Sequence, residues 1–388
     1  MVYRYTILLL FFFIPFCLVA QKRRGQPSKI HLSLFPGIGN SGVSELIRDY
    51  NLSLNLSSGV TGSVHGIELS LISSYNYQSF QGIQVSGFAN ISGANNILNP
   101  KEKLEETFRG FQFAGLMNKT FGDGTGWQLA SFNIAESSFK GFQMALISNK
   151  ARDMTGIQLA GLINSSVKGF GGIQMAPLFN YSGGQSYGMQ IALFNYARSG
   201  GLINSRKTIF TDFYQIGLIN FSKVNNGNQI GLINITEKNN GVPLGLINID
   251  ASHGNASFRA TDMFLSNLAI STGSAFYTNL IQVGYNFSIT GMPVWGLAYG
   301  LEKEWKNTDK NKLISLSLSL WQQKEKDEKL LEGPRILRTE LIYGFKITKF
   351  RFLEIGAAFG YQLNESTALE PTLLPIGKVL PGFIMGIR

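Results

Sequence analysis

The stretch Gly156-Ile157-Gln158-Leu159-Ala160-Gly161-Leu162-Ile163-Asn164 decides how this chain folds, because it recurs. Copies stand at 110–118, 126–133, 141–149, 172–180, 188–195 and 227–234, with weaker ones at 66–74, 82–90, 200–204, 214–220 and 241–248. The opening glycines Gly126, Gly141, Gly156, Gly172 and Gly188 fall 15 or 16 residues apart. A fixed period of this kind is the signature of a repeat architecture. Within a copy, Met189, Ile191 and Leu193 alternate with Gln190, Ala192 and Phe194, the period of a β-strand. A bulge at an extra glycine such as Gly161 places Ile157, Leu159 and Leu162 on one face and Gln158, Ala160 and Ile163 on the other. The closing Asn, often followed by Ser or Gly, reads as turn chemistry. That reading is preferred to glycosylation for Asn180-Tyr181-Ser182 and Asn234-Ile235-Thr236, since the Asn recurs at every strand end.

The repeat also explains the composition. Of 388 residues 44 are Gly and only 15% are charged, against about 7% Gly and 25% charged in ordinary soluble domains. Between Gly110 and Asp250 there are 16 charged residues, and none lies between an opening Gly and its closing Asn. Lys140, Lys150, Arg152, Asp153, Lys168, Lys223, Glu237 and Lys238 all sit in the connections. A sheet with one wet face carries charge or Thr on that face. Here one face is Ile/Leu/Met and the other Gly/Gln/Ala, so neither reads as a solvated surface.

Two all-β architectures fit. The first is an antiparallel outer-membrane-type β-barrel built largely from these strand-turn repeats. Its aliphatic face meets lipid and its lumen is lined by Gln84, Gln112, Gln128, Gln143, Gln158, Gln174, Gln190, Gln215 and Gln229, with a closed sheet satisfying every backbone group. Phe80, Phe108, Phe139 and Phe170 before the opening glycines, and Tyr181, Tyr196 and Phe221 after the closing Asn, resemble interfacial girdles. The second is a β-solenoid with a C-terminal antiparallel sheet, in which Gln and Asn form ladders from coil to coil. The uniform connections of six or seven residues favour it, provided the strand bends at its Ala-Gly step.

Beyond the repeats (66–250), residues 260–388 carry alternating strands without the consensus. The clearest is Leu313-Ile314-Ser315-Leu316-Ser317-Leu318-Ser319-Leu320-Trp321, with charged connections at 302–312 and 323–335. Residues 100–108 read as a short surface helix started by Pro100. Residues 1–20 read as a secretory signal peptide: Arg4, then the apolar run 7–16, then Ala20. The run is too short to cross a bilayer. The expected organisation is therefore a signal peptide and a single barrel domain over 21–388, exported to the outer membrane or surface of a Gram-negative cell.

The repeat units resemble those of bacterial surface-repeat proteins, a group of mostly uncharacterised secreted or outer-membrane proteins. The resemblance spans 66–250 and implies cell-surface location. It brings no catalytic residues.

Motifs that carry chemistry are scarce. The match to G-x-G-x-x-G at Gly37–Gly42 precedes an uncharged alternating strand, 51–57, and lacks the βαβ unit a dinucleotide site needs. Gly122-Asp123-Gly124 offers one carboxylate, too few for calcium. Three histidines (His31, His65, His253) and one cysteine, Cys17, argue against zinc, a Cys nucleophile or disulfides. The net charge of +10 is scattered, which disfavours nucleic acid. The expected function is non-enzymatic, without cofactor or metal. The expected protein is a structural or pore-like barrel with outer-membrane lipid as partner, or else a surface-attached solenoid that presents an interaction surface.

Overall fold

The computed structural model describes residues 28–94, 106–201, 213–251, 254–274, 277–286, 294–307, 312–324, 333–348, 351–363 and 379–388. The chain is almost entirely β, with a solenoid-like stack of about 11 turns and a closed barrel of eight antiparallel strands. It divides into two compact units, Met1–Gly217 and Leu218–Arg388. The proposed signal segment lies outside the described residues, as do most of the copy at 200–204 and residues 100–105 of the expected helix. Residues 106–108 of that helix belong instead to the strand Glu106–Ala114.

In the first unit the repeats take the solenoid arrangement. Successive strands pair in parallel, with like residues level: Gly82 lies between Gly66 and Gly110, Gln174 between Gln158 and Gln190, and Asn180 between Asn164 and Asn195. Each copy is thus one turn, laid on the turn before it. Two sequence features impose this. The uniform connections bring the chain back to the same side every time, and copies such as 66–74, 82–90, 110–118 and 156–164 bend at the Gly161-Leu162 step or its counterpart. The bend has a consequence for the faces. Ile163 points outward, 36% exposed, instead of joining Gln158 and Ala160 inside.

The opening glycine is demanded twice over. Gly156 has φ +132°, a region essentially restricted to glycine. An added Cβ would stand 2.0 Å from the Gly141 carbonyl oxygen of the preceding turn. Gly126, Gly141 and Gly172 repeat both features, so the consensus Gly is a column along which backbones approach too closely for any side chain.

Phe80, Phe108, Phe139 and Phe170, expected as a girdle, are buried with Tyr50, Val64 and Met154 as the unit's apolar core. Phe80 and Phe108 stack at 6.4 Å and Phe108 and Phe139 at 6.1 Å. They face inward because they stand an even number of residues from the inward Gln, on the same side of the pleat.

The second unit begins within the strand Phe213–Asn225 and continues with the parallel strands Asn228–Asn239, Val242–Leu244 and Ile247–Asp250. The barrel follows: Gly254–Thr261, Ser266–Gly273, Thr278–Asn286, Val294–Asn307, Lys312–Lys324, Arg335–Thr348, Arg351–Gln362 and Val379–Ile387. Each is antiparallel to the next, and the first pairs with the last from Phe258–Ile387 to Thr261–Ile384, closing the ring. The strand Val294–Asn307 runs further than expected, so Glu302 and Glu304 stand in a strand and not in a loop.

Candidate functional site

Both units carry their polar chemistry inside. In the first unit the alternation turns the consensus Gln of each repeat inward to complete burial. The amides form one chain of hydrogen bonds: Gln112 Nε2 donates to Gln84 Oε1, Gln128 to Gln112, Gln143 to Gln128, and so on through Gln158, Gln174 and Gln190 to Gln215, at 2.7–3.0 Å. These residues line no open lumen; they are the solid interior of the solenoid. Gln229, in the second unit, is equally buried and donates to Ser222 Oγ. The closing Asn residues are interior too, and not turns. Asn164 Nδ2 donates forward to Asn180 Oδ1 at 3.1 Å and to the Met175 carbonyl at 2.8 Å. The two columns therefore run with opposite polarity, Gln toward the N-terminal end and Asn away from it.

Gln143→Leu is expected to lower the stability of this unit by roughly 2–5 kcal/mol, because it strands the Gln128 acceptor and the Gln158 donor where water cannot reach them. Denaturant unfolding measures this; a variant as stable as the parent would show that the column is dispensable.

The run of amides, all donating one way, ends on the carboxyl of Glu68, level with Gln84. It accepts from Gln84 Nε2 and Asn76 Nδ2, both at 2.8 Å, and from Ser53 Oγ at 3.2 Å. Burial raises the Glu68 carboxyl above the ordinary range, opposed by those hydrogen bonds. The folded state therefore holds this proton more tightly than the unfolded chain. The stability it contributes is complete below the unfolded value of about 4.3 and is lost as pH rises through the folded value. Glu68→Gln, which extends the amide column, is expected to be more stable than the parent at neutral pH and to remove part of the pH dependence. Thermal melts at pH 4 and pH 7 test this, and an unchanged pH slope would contradict it.

Beyond Glu68 the same column continues through Ser53 to His31, covered by Glu45. His31 Nδ1 is 3.0 Å from Ser53 Oγ, and His31 Nε2 is 3.4 Å from Glu45 Oε1. A Ser, a His and a carboxylate in this order suggest a nucleophile with its base. Ser53 and His31 are, however, fully buried, so no substrate has access to the hydroxyl. The trio caps the end of the amide column. Ser53 lies 22 residues from His31 along the chain and meets it only through the parallel register.

The barrel reverses the usual distribution of polarity. In Lys312–Lys324 the outward Ile314, Leu316, Leu318 and Leu320 are 41–50% exposed, while Ser315, Ser317 and Ser319 face the interior. Leu337, Leu341, Ile355, Phe359, Phe383 and Met385 continue the apolar exterior. Inside lie Arg259 and Arg338, with the Arg388 side chain beside them, against Glu302, Glu340 and Glu354 and the slightly more exposed Asp262 and Glu304. Arg259 Nε donates to Glu354 Oε2 at 2.9 Å, with Glu340 and Glu302 at 3.5 and 3.7 Å from its other nitrogens. Arg388 pairs with Glu302 and Glu354 at 2.7 Å, and with Glu304. Arg338 donates to Glu340 at 2.9 Å and to Asp262. Phe264, stacked on Trp321 at 5.1 Å, packs with Ala298 and Ile336 in a separate apolar cluster. Gly284 and Gly296 leave the room it needs.

Where the last parallel turn of this unit meets its barrel, Asn248 Nδ2 donates to Asn279 Oδ1 at 2.6 Å and Tyr299 Oη to the Leu246 carbonyl at 2.6 Å. The Asn column of the second unit, Asn220 to Asn234 to Asn248, thereby ends on a barrel side chain.

Among the described residues no group of His, Cys, Asp and Glu is arranged to hold a metal ion. No family model, curated protein or solved structure matches the chain.

Proposed function

We propose that this protein is a non-enzymatic surface protein anchored in an outer membrane by the barrel 254–388, with the solenoid as the part it displays. The observation that carries this reading is the inverted barrel: a continuous aliphatic exterior around a charged interior. In water such an exterior is a large unexplained apolar surface. In a bilayer it is what an eight-stranded membrane barrel presents to lipid. The repeat's resemblance to surface-repeat proteins and the signal-like segment at 1–20 support export.

Between a pore and an anchor, the interior favours the anchor. Eight strands leave room for little more than side chains, and here that room holds the Arg–Glu network and the Phe264–Trp321 cluster. The full chain is expected to stay with membranes through an alkaline wash. It should also migrate faster on detergent gels unheated than boiled, and give no steady conductance in planar bilayers. Release as a soluble monomer without detergent would overturn the membrane reading; an ohmic channel would overturn the anchor in favour of the pore.

A further inference from the structure

We infer that the solenoid of the first unit has a lipid-binding edge, formed by the bends of its repeats. The inference rests on the membrane reading above and extends it to a second surface. At the bends, and at the equivalent step of the copy 141–149, Leu71, Phe88, Leu146, Leu162, Leu178 and Leu193 project with exposures from 41 to 76%. Beside them the outward residues of the copies, such as Ile83, Phe113, Ile173 and Met175, are also apolar, exposed in some copies and half-buried in others. From opening Gly to closing Asn or Ser the copies of this unit contain one charged residue, Glu68, and it points inward. Every other charge in the unit's repeats lies on the connections. The solenoid is thus amphipathic about its long axis, an apolar edge backed by a charged one, as an interfacial helix is about its own.

Three observations say what covers this edge. It is apolar and uncharged on both faces of the bend, as a surface that meets hydrocarbon is. Its backbone asks nothing of a partner, since each strand is paired with the turns before and after it, and a group with no unsatisfied donor is compatible with lipid. The margin is built from interfacial residues. Directly after the closing residue, five of the eight copies carry Tyr or Lys: Tyr75, Lys119, Lys150, Tyr181 and Tyr196, with the last two rings stacked at 5.1 Å. Tyrosine at headgroup level and lysine reaching out along its apolar stem are the pattern of a membrane boundary. Trp127, 56% exposed on the same apolar surface, adds to it.

The test is lipid contact residue by residue. Full-length chains carrying Cys17→Ser and one cysteine, at Leu162, Leu146, Lys168 or Leu318, are labelled with a polarity-sensitive fluorophore. They are then reconstituted in phosphatidylethanolamine–phosphatidylglycerol vesicles, with quenching by iodide or by brominated lipid. Labels at Leu162 and Leu146 are expected to be quenched several-fold more by brominated lipid than the label at Lys168, and several-fold less by iodide. Iodide quenching at Leu162 and Leu146 equal to that at Lys168, with Leu318 in lipid, overturns the edge and leaves the barrel anchor standing. Water exposure at Leu318 as well overturns both. Labels at Leu162 and Leu146 shielded from both quenchers would mean a protein surface covers the edge, which also overturns the inference.

Discussion

Gly156→Ala is expected to remove several kcal/mol of stability from the first unit. Two effects add. Placing alanine at φ +132° costs about 1–3 kcal/mol in backbone strain. Its methyl group would sit 2.0 Å from the Gly141 carbonyl oxygen, where nothing flexible can yield, and forced overpacking costs about 1–3 kcal/mol more. Against a total stability of about 5–15 kcal/mol this is a large fraction. In a stack where each turn contacts only its neighbours, the damage should centre on the turns beside Gly156. Gly169→Ala is the control, since its methyl would meet only the Asp153 carboxylate at 3.2 Å and the Gln185 carbonyl at 3.3 Å. Limited proteolysis and denaturant unfolding of the two variants should separate clearly. Equal stability of both would show that the glycine column is not what sets the spacing of the turns.

Arg259→Met is the second large effect. Arg259 faces Glu302, Glu340 and Glu354 inside the barrel, with no exposed surface of its own. Removing one partner of a buried ion network leaves charge uncompensated and typically costs about 3–5 kcal/mol. The measurement is the temperature at which the detergent-solubilised chain converts from its fast to its slow gel form, which should fall well below that of the parent. The double variant Arg259→Met/Glu354→Met restores the balance of charge and should recover much of the loss. If the single variant melts like the parent, the network contributes nothing to holding the barrel closed.

How much of this was legible in the sequence depends on the physical signal. The repeat and its strands were, because period two and a fixed spacing are local patterns. Parallel pairing was not decided by them, since residues alternate identically in parallel and antiparallel strands. The evenness of the connections pointed to the solenoid, and the Ala160-Gly161 step to the bend that makes fifteen residues enough for a turn. The inward place of Phe80, Phe108, Phe139 and Phe170 follows from counting pleats back from each Gln; their neighbourhood to the strand ends alone suggested a girdle. The barrel's interior was least legible. Arg259 and Glu354 are 95 residues apart, and only the closed ring brings them together. A local trace existed in Leu337-Arg338-Thr339-Glu340-Leu341, where charge alternates with Leu or Thr inside a strand. That pattern indicates a strand with an apolar outside and a charged inside.

The same alternation offers the most direct test of the inverted barrel. Spin labels placed singly from Ser315 to Leu320 in the full chain, reconstituted in lipid vesicles, report access to oxygen dissolved in the bilayer or to a nickel chelate in water. Labels at Leu316, Leu318 and Leu320 should be open to oxygen and closed to nickel, while those at Ser315, Ser317 and Ser319 should be shielded from the bilayer. Nickel access at the leucine positions, with no alternation of oxygen access along the strand, would contradict a barrel that meets lipid with its outer face.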